Sequence, residues 1–106
     1  MSKYYICFAF VVFLFASCFS VKEKPKAYTV EIKNMKFVPD DITVKQGDTI
    51  IWVNHDMMAH DVTEEGSKQW TSSIIPSGGS WKMGVTAAAN YYCSIHVVMK
   101  GKIRLQ

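Results

Sequence analysis

Tyr91-Tyr92-Cys93-Ser94-Ile95-His96-Val97-Val98-Met99-Lys100-Gly101 places a thiol, an imidazole and a thioether at successive three-residue steps. A short loop closing around one centre can return a side chain to that centre at such steps. The run therefore reads as a single loop aimed at a single point. Cys93 sits at the end of a strand, with His96 and Met99 on the turn that follows. Upstream, Trp52-Val53-Asn54 leads to a second imidazole, His60, which must come from a different strand end at the same pole.

The donor types narrow the chemistry. Thiolate, imidazole and a weak thioether suit a mononuclear copper site in either oxidation state. Zinc also accepts Cys and His, but its structural sites close with four Cys/His ligands and its catalytic sites keep a water. A Met in the fourth place points away from zinc. Taken singly, Cys93 reads as a small buried hydrophobe, Met99 as core filling and each His as an ordinary loop residue. Taken together at this spacing, His60, Cys93, His96 and Met99 form a candidate site for one copper ion. His55 has no place in the pattern and is expected to be solvated. Met57 and Met58 either fill the core or line an adaptable apolar surface beside the site, with the surface favoured.

Working outward, the chain from Ala27 alternates short apolar-patterned runs with turn signals. Tyr28 to Ile32, Ile42 to Val44, Thr49 to Val53 and Lys102 to Leu105 suit half-buried strands of period two. Turn chemistry falls at Pro39-Asp40-Asp41, Gln46-Gly47-Asp48 and Pro76-Ser77-Gly78-Gly79. No stretch reads as a convincing amphipathic helix. The expectation is an all-β, Greek-key β-sandwich of about seven to eight strands, with Trp52, Tyr91 and alternating Ile and Val residues in its core.

With these residues in view, residues 27–106 resemble a small cupredoxin. The Cys-x2-His-x2-Met loop is similar to that of the amicyanins, whereas plastocyanin and pseudoazurin take a longer step from His to Met. Met35 to Pro39 and Val44 to Thr49 look like the first strands of that family and the turn between them. Trp52 to Val62 is similar to the segment bearing the first His, and Ser72 to Trp81 resembles the stretch before the penultimate strands. The order of these pieces along the chain carries the resemblance. It implies a type 1 copper site and electron transfer, with His96 as the port where electrons enter and leave, framed by Val97, Val98, Met57, Met58 and Pro76. Many relatives have Pro where this chain has Val97, so this loop is expected to be less stiff. Relatives also place Asn after the first His, where this chain has Asp61. Its backbone N–H can still donate to Cys93. The carboxylate, which only accepts hydrogen bonds, either reaches Ser94 across the two ligand loops or points outward into water.

The N-terminus carries a different message. Lys3, the apolar run Ile6 to Phe15 and the small residues Ala16 and Ser17 read as an export signal over residues 1–17. That run is short for a membrane span of about 20 residues. Leu14-Phe15-Ala16-Ser17-Cys18 also looks like a lipobox, which would leave Cys18 as a lipid anchor. The alternative is an ordinary signal peptide releasing a soluble protein. Residues 18–26 then form a charged tether, lipid-anchored or free. Of the three cysteines, Cys7 leaves with the signal and Cys18 becomes the anchor, so Cys93 has no disulfide partner. An unpaired thiol in an oxidising compartment is accounted for by metal.

The 106 residues are one domain's worth, with a formal net charge of +3. Removing Lys3 with the signal leaves +2, which neither demands nucleic acid nor forbids an acidic partner. The expected role is a monomeric single-copper electron carrier of the bacterial envelope, exported to the periplasm and working between a redox donor and acceptor. The alternative is an envelope copper carrier or storage protein. An enzyme is not expected: one small domain has no room for further copper centres, and no pattern marks an activated nucleophile.

Overall fold

The computed structural model describes residues 23–106. Signal, lipid and the first part of the tether therefore lie outside the described residues. Eight strands follow in order: β1 (Ala27–Lys33), β2 (Lys36–Val38), β3 (Asp41–Val44), β4 (Thr49–Asn54), β5 (Thr63–Glu64), β6 (Ser80–Gly84), β7 (Ala89–Tyr92) and β8 (Lys100–Leu105). The four runs expected from period-two patterning all lie within β1, β3, β4 and β8. No helix occurs among the described residues.

The strands form two four-stranded sheets, ordered β2-β1-β4-β6 and β3-β8-β7-β5. Both are mixed: β1 runs parallel to β4 and β3 parallel to β8, while the other pairs are antiparallel. Parallel neighbours cannot be joined by a hairpin. The chain leaves the first sheet after β2, lays β3 on the second, and returns as β4. That crossing makes the Greek-key β-sandwich.

The inner faces meet in one core. Strand β4 alternates strictly, burying Ile50, Trp52 and Asn54 and turning Thr49, Ile51 and Val53 outward. Val30 and Ile32 from β1, Val44 from β3, Tyr91 from β7 and Ile103 from β8 join them, each at most 1% exposed. Burying a large apolar side chain this fully contributes roughly 1.5–3 kcal/mol. Trp52 and Tyr91 meet edge to face with ring centroids 5.5 Å apart, a geometry aromatic rings prefer. Burial pushes the Tyr91 hydroxyl up to about 12. Tyr91 lies opposite Gly101 in the β7–β8 register, and a Cβ at Gly101 would come within 2.1 Å of the ring. The glycine is there because the ring occupies its side-chain space.

Asn54 ends β4 by turning its polar side chain into this interior, 0% exposed. The connection of Pro76 to Gly79 closes against it: Gly78 N–H donates to Asn54 O at 2.8 Å and Asn54 N–H to Gly79 O at 2.9 Å. Gly78 has φ of 78°, the left-handed conformation that favours glycine. These contacts bring the β4 end and the β5–β6 connection to one pole, where the β7–β8 loop also lies.

Candidate metal centre

The loop after β4 is organised by Asn54. Its side-chain amide donates to Met58 O at 2.9 Å and Ile75 O at 3.0 Å, and its oxygen accepts from Asp56 N–H at 2.9 Å. A buried amide with three partners is a rigid internal brace. Six residues after Asn54, His60 pairs with Ile75 through both backbone groups, at 3.2 and 2.8 Å. The imidazole, 0% exposed, is thereby fixed at the pole.

The second loop spans Ser94 to Met99 between β7 and β8. Cys93 N–H donates to Met99 O at 3.1 Å, and Met99 N–H to His96 O at 2.9 Å. These two bonds pinch the loop at its base. Cys93 is buried at the strand end and Met99 is 3% exposed, while His96 is only half-buried. The expected placement of all three is therefore met.

Donor atoms of His60, Cys93 and His96 all lie within 4.8 Å of one another. The Cys93 Sγ is 3.8 Å from His60 Nδ1 and 3.9 Å from His96 Nδ1, and the two Nδ1 atoms are 3.1 Å apart. Two imidazole lone pairs and a sulfur converging in a buried pocket are electrostatically unfavourable unless a cation or a shared proton lies among them. A soft cation accepting nitrogen and sulfur fits this donor set. Met99 closes the same loop and supplies a thioether, completing the four residues brought to this pole.

Groups behind the donors orient them. His60 Nε2 lies 2.8 Å from Asp56 Oδ2. Donation from Nε2 to this carboxylate leaves the Nδ1 lone pair facing Cys93 and His96, the way a carboxylate sets the tautomer of a ligating His. Burial pushes the Asp56 carboxyl up. The N–H groups of Met35 and Asn34 and the His60 ring outweigh it and hold the carboxyl below its usual range. Sequence reasoning missed both Asp56 and Asn54. The signal available was a carboxylate four residues before His60, but in a loop that spacing has no fixed geometric meaning.

Asp61 settles the choice left open by the sequence: it is 5% exposed, not solvated. Its N–H approaches Cys93 Sγ at 3.4 Å. Its carboxylate accepts Ser94 N–H at 2.7 Å, Thr63 Oγ1–H at 3.1 Å and the Ser94 hydroxyl. One residue thus caps the sulfur and ties the two loops together. His55 is nearly half exposed, 3.6 Å from Glu31 and away from the cluster.

Around half-buried His96 the surface is apolar. Val97 and Val98 are 60% and 84% exposed, with Ile95 beside them, and Met57 on the neighbouring loop is 95% exposed. Met57 and Met58 therefore belong to the surface, and the two valines are not core.

Residues 25–106 match the family described as copper binding proteins, plastocyanin/azurin family. The chain belongs to that family. Its cofactor is accordingly copper, in agreement with the donor set. The chain is 28% identical to amicyanin of Paracoccus versutus over 83 residues, 73% of this chain and 63% of that protein. The match thus spans less than two thirds of that relative's length. It is also 28% identical to amicyanin-alpha of Methylorubrum extorquens over 91 residues, 79% of this chain and 76% of that one. Among solved structures, a proline-to-alanine mutant of amicyanin in its oxidized state superposes with a TM-score of 0.70 at 26% identity, covering 76% of this chain and 82% of that chain. A copper-containing nitrite reductase from Thermus scotoductus gives 0.67 at 25% identity, covering 82% of this chain but 23% of that one. The fold is therefore shared by a small protein of similar size and by a minor part of a larger enzyme.

Proposed function

We propose that this protein carries single electrons through one type 1 copper ion, which His60, Cys93, His96 and Met99 would hold. The observation that carries the reading is the convergence of the three N and S donors within 4.8 Å. When bound, copper supplies a reversible one-electron couple. Every other part of the function belongs to the chain. Asn54, the Ile75 bridge and the Asp61–Ser94 tie hold the donors in place whatever the charge between them, so little has to rearrange when an electron arrives. The Asp61 N–H donates to the sulfur, and Asp56 fixes the His60 ring. His96 offers its exposed ring edge as the electron port, and its apolar rim suits brief docking of a redox donor or acceptor.

In this reading the protein acts as a monomer and as a carrier, not an enzyme, with one His/Cys donor cluster among the described residues. Residues 1–17 serve as the export signal, 18–26 as the tether, lipid-anchored through Cys18, and 27–106 as the copper domain in the envelope or periplasm. The start of β1 at Ala27 supports the last of these boundaries. Metabolic labelling with a fatty acid tests the anchor: Cys18→Ala should lose the label, and an unlabelled wild-type protein refutes it.

Electron carriage is separated from copper delivery by voltammetry with an acceptor apoprotein present. Reversible cycling with copper retained is the expected result. Irreversible loss of copper to the acceptor would favour the carrier instead.

A further inference from the structure

The hairpin joining β1 to β2 turns on two residues, Asn34 and Met35, with φ of 54° and 60°. Two-residue hairpin loops of this kind take positive φ at both central positions and favour Asn followed by Gly. Met35 occupies the glycine place, where a residue with a Cβ is strained. A carboxylate holds it there: Asp56 accepts Asn34 N–H at 2.7 Å and Met35 N–H at 3.0 Å. The same carboxylate accepts His60 Nε2. One side chain therefore fixes both the strained Met35 and the His60 imidazole.

Met35 lines a cavity of about 290 Å³ whose lining also includes Met99. Phe37 and Val98 supply apolar wall. Met35 is 36% exposed and Met99 3%, so the lining of one cavity joins a partly exposed methionine to a buried one. Its charged rim is nearly balanced. Lys36 and Asp40 oppose each other in sign, and Lys100 is paired with Glu65 at 2.8 Å. Selection in such a cavity falls to its two methionines, whose thioethers favour Cu(I) over harder cations.

We propose that this cavity is an entry site for Cu(I), in which Met35 captures the ion and passes it to Met99, and so to the buried cluster. The proposal rests on the assignment of the copper site above. No electron is transferred in loading. Cys93 exchanges its S–H bond for a bond to copper, and the proton leaves to solvent. Cu(II), a harder ion, gains nothing from Met35 and enters past half-buried His96.

The test is anaerobic loading of the purified apoprotein with Cu(I) buffered by a weak chelator, sampled over time and oxidised to read the coloured product. Met35→Leu keeps the volume and removes the sulfur. Its Cu(I) loading should slow roughly tenfold, since a soft donor is lost, while Cu(II) loading, final absorption and potential stay at wild-type values. Equal rates in wild type and Met35→Leu, or equal slowing with both ions, overturn the proposal. So does slowing of the same size in Met57→Leu, whose side chain does not line the cavity. Failure of the wild type to form any coloured product would instead refute the copper-site assignment.

Discussion

The Asp61 carboxylate and Ser94 join the two halves of the metal centre. Backbone N–H donates to carboxylate at 2.7 Å, and the serine hydroxyl donates to its other oxygen. Asp61 follows His60 and Ser94 follows Cys93, so this contact sets the spacing of the imidazole and the sulfur. It also places a carboxylate in a buried position beside His60 and Cys93.

A negative charge there stabilises Cu(II) over Cu(I), so Asp61→Asn should raise the reduction potential. At a separation of roughly 8 Å and an effective dielectric constant of about 20, Coulomb's law gives on the order of 2 kcal/mol. Voltammetry of both proteins at matched pH and ionic strength checks the sign. A lower or unchanged potential would mean that the altered hydrogen bonds outweigh the charge.

Gly101→Ala should destabilise the fold by about 2 kcal/mol or more, the range of overpacked cores. The new Cβ would meet the Tyr91 ring at 2.1 Å, and that ring is fully buried, edge to face with Trp52. Urea denaturation measures the loss. A neutral result would show that β7 and β8 can separate without cost.

Asp48 gives the fold an acid-sensitive joint. Its carboxylate accepts Lys26 N–H and Lys45 N–H, each at 2.9 Å, which holds the carboxyl below the usual value of 3.8. A depressed acid stabilises the fold above the unfolded value, and that contribution is lost as pH falls through the folded one. Asp48→Ala should therefore lower the melting temperature at neutral pH and flatten the decline below about pH 4. Parallel melting curves for the two proteins from pH 7 to pH 3 would contradict this.

The parts of this molecule legible in its sequence are those governed by local rules. Alternation in Thr49 to Val53 predicts a strand because side chains on a pleated backbone switch faces at every residue. The Cys93-His96-Met99 spacing predicts a loop because each donor must return to one centre. Asp56 and Asn54 escaped notice because their roles depend on contacts that sequence separation does not encode: Asp56 reaches back to Asn34 and Met35, and Asn54 reaches forward to Ile75. For Asp61 the position was visible and the direction was not. An outward carboxylate and one bonded to Ser94 share the same sequence, and only the packing of Thr63 and Ser94 around it decides.

The central claim is that Cys93, His60 and His96 share one copper ion, and the absorption spectrum of the copper(II) protein tests it most directly. An intense visible band from charge transfer out of the Cys93 thiolate, absent in Cys93→Ser, is the predicted result. A colourless Cu(II) complex of the wild-type protein would contradict it.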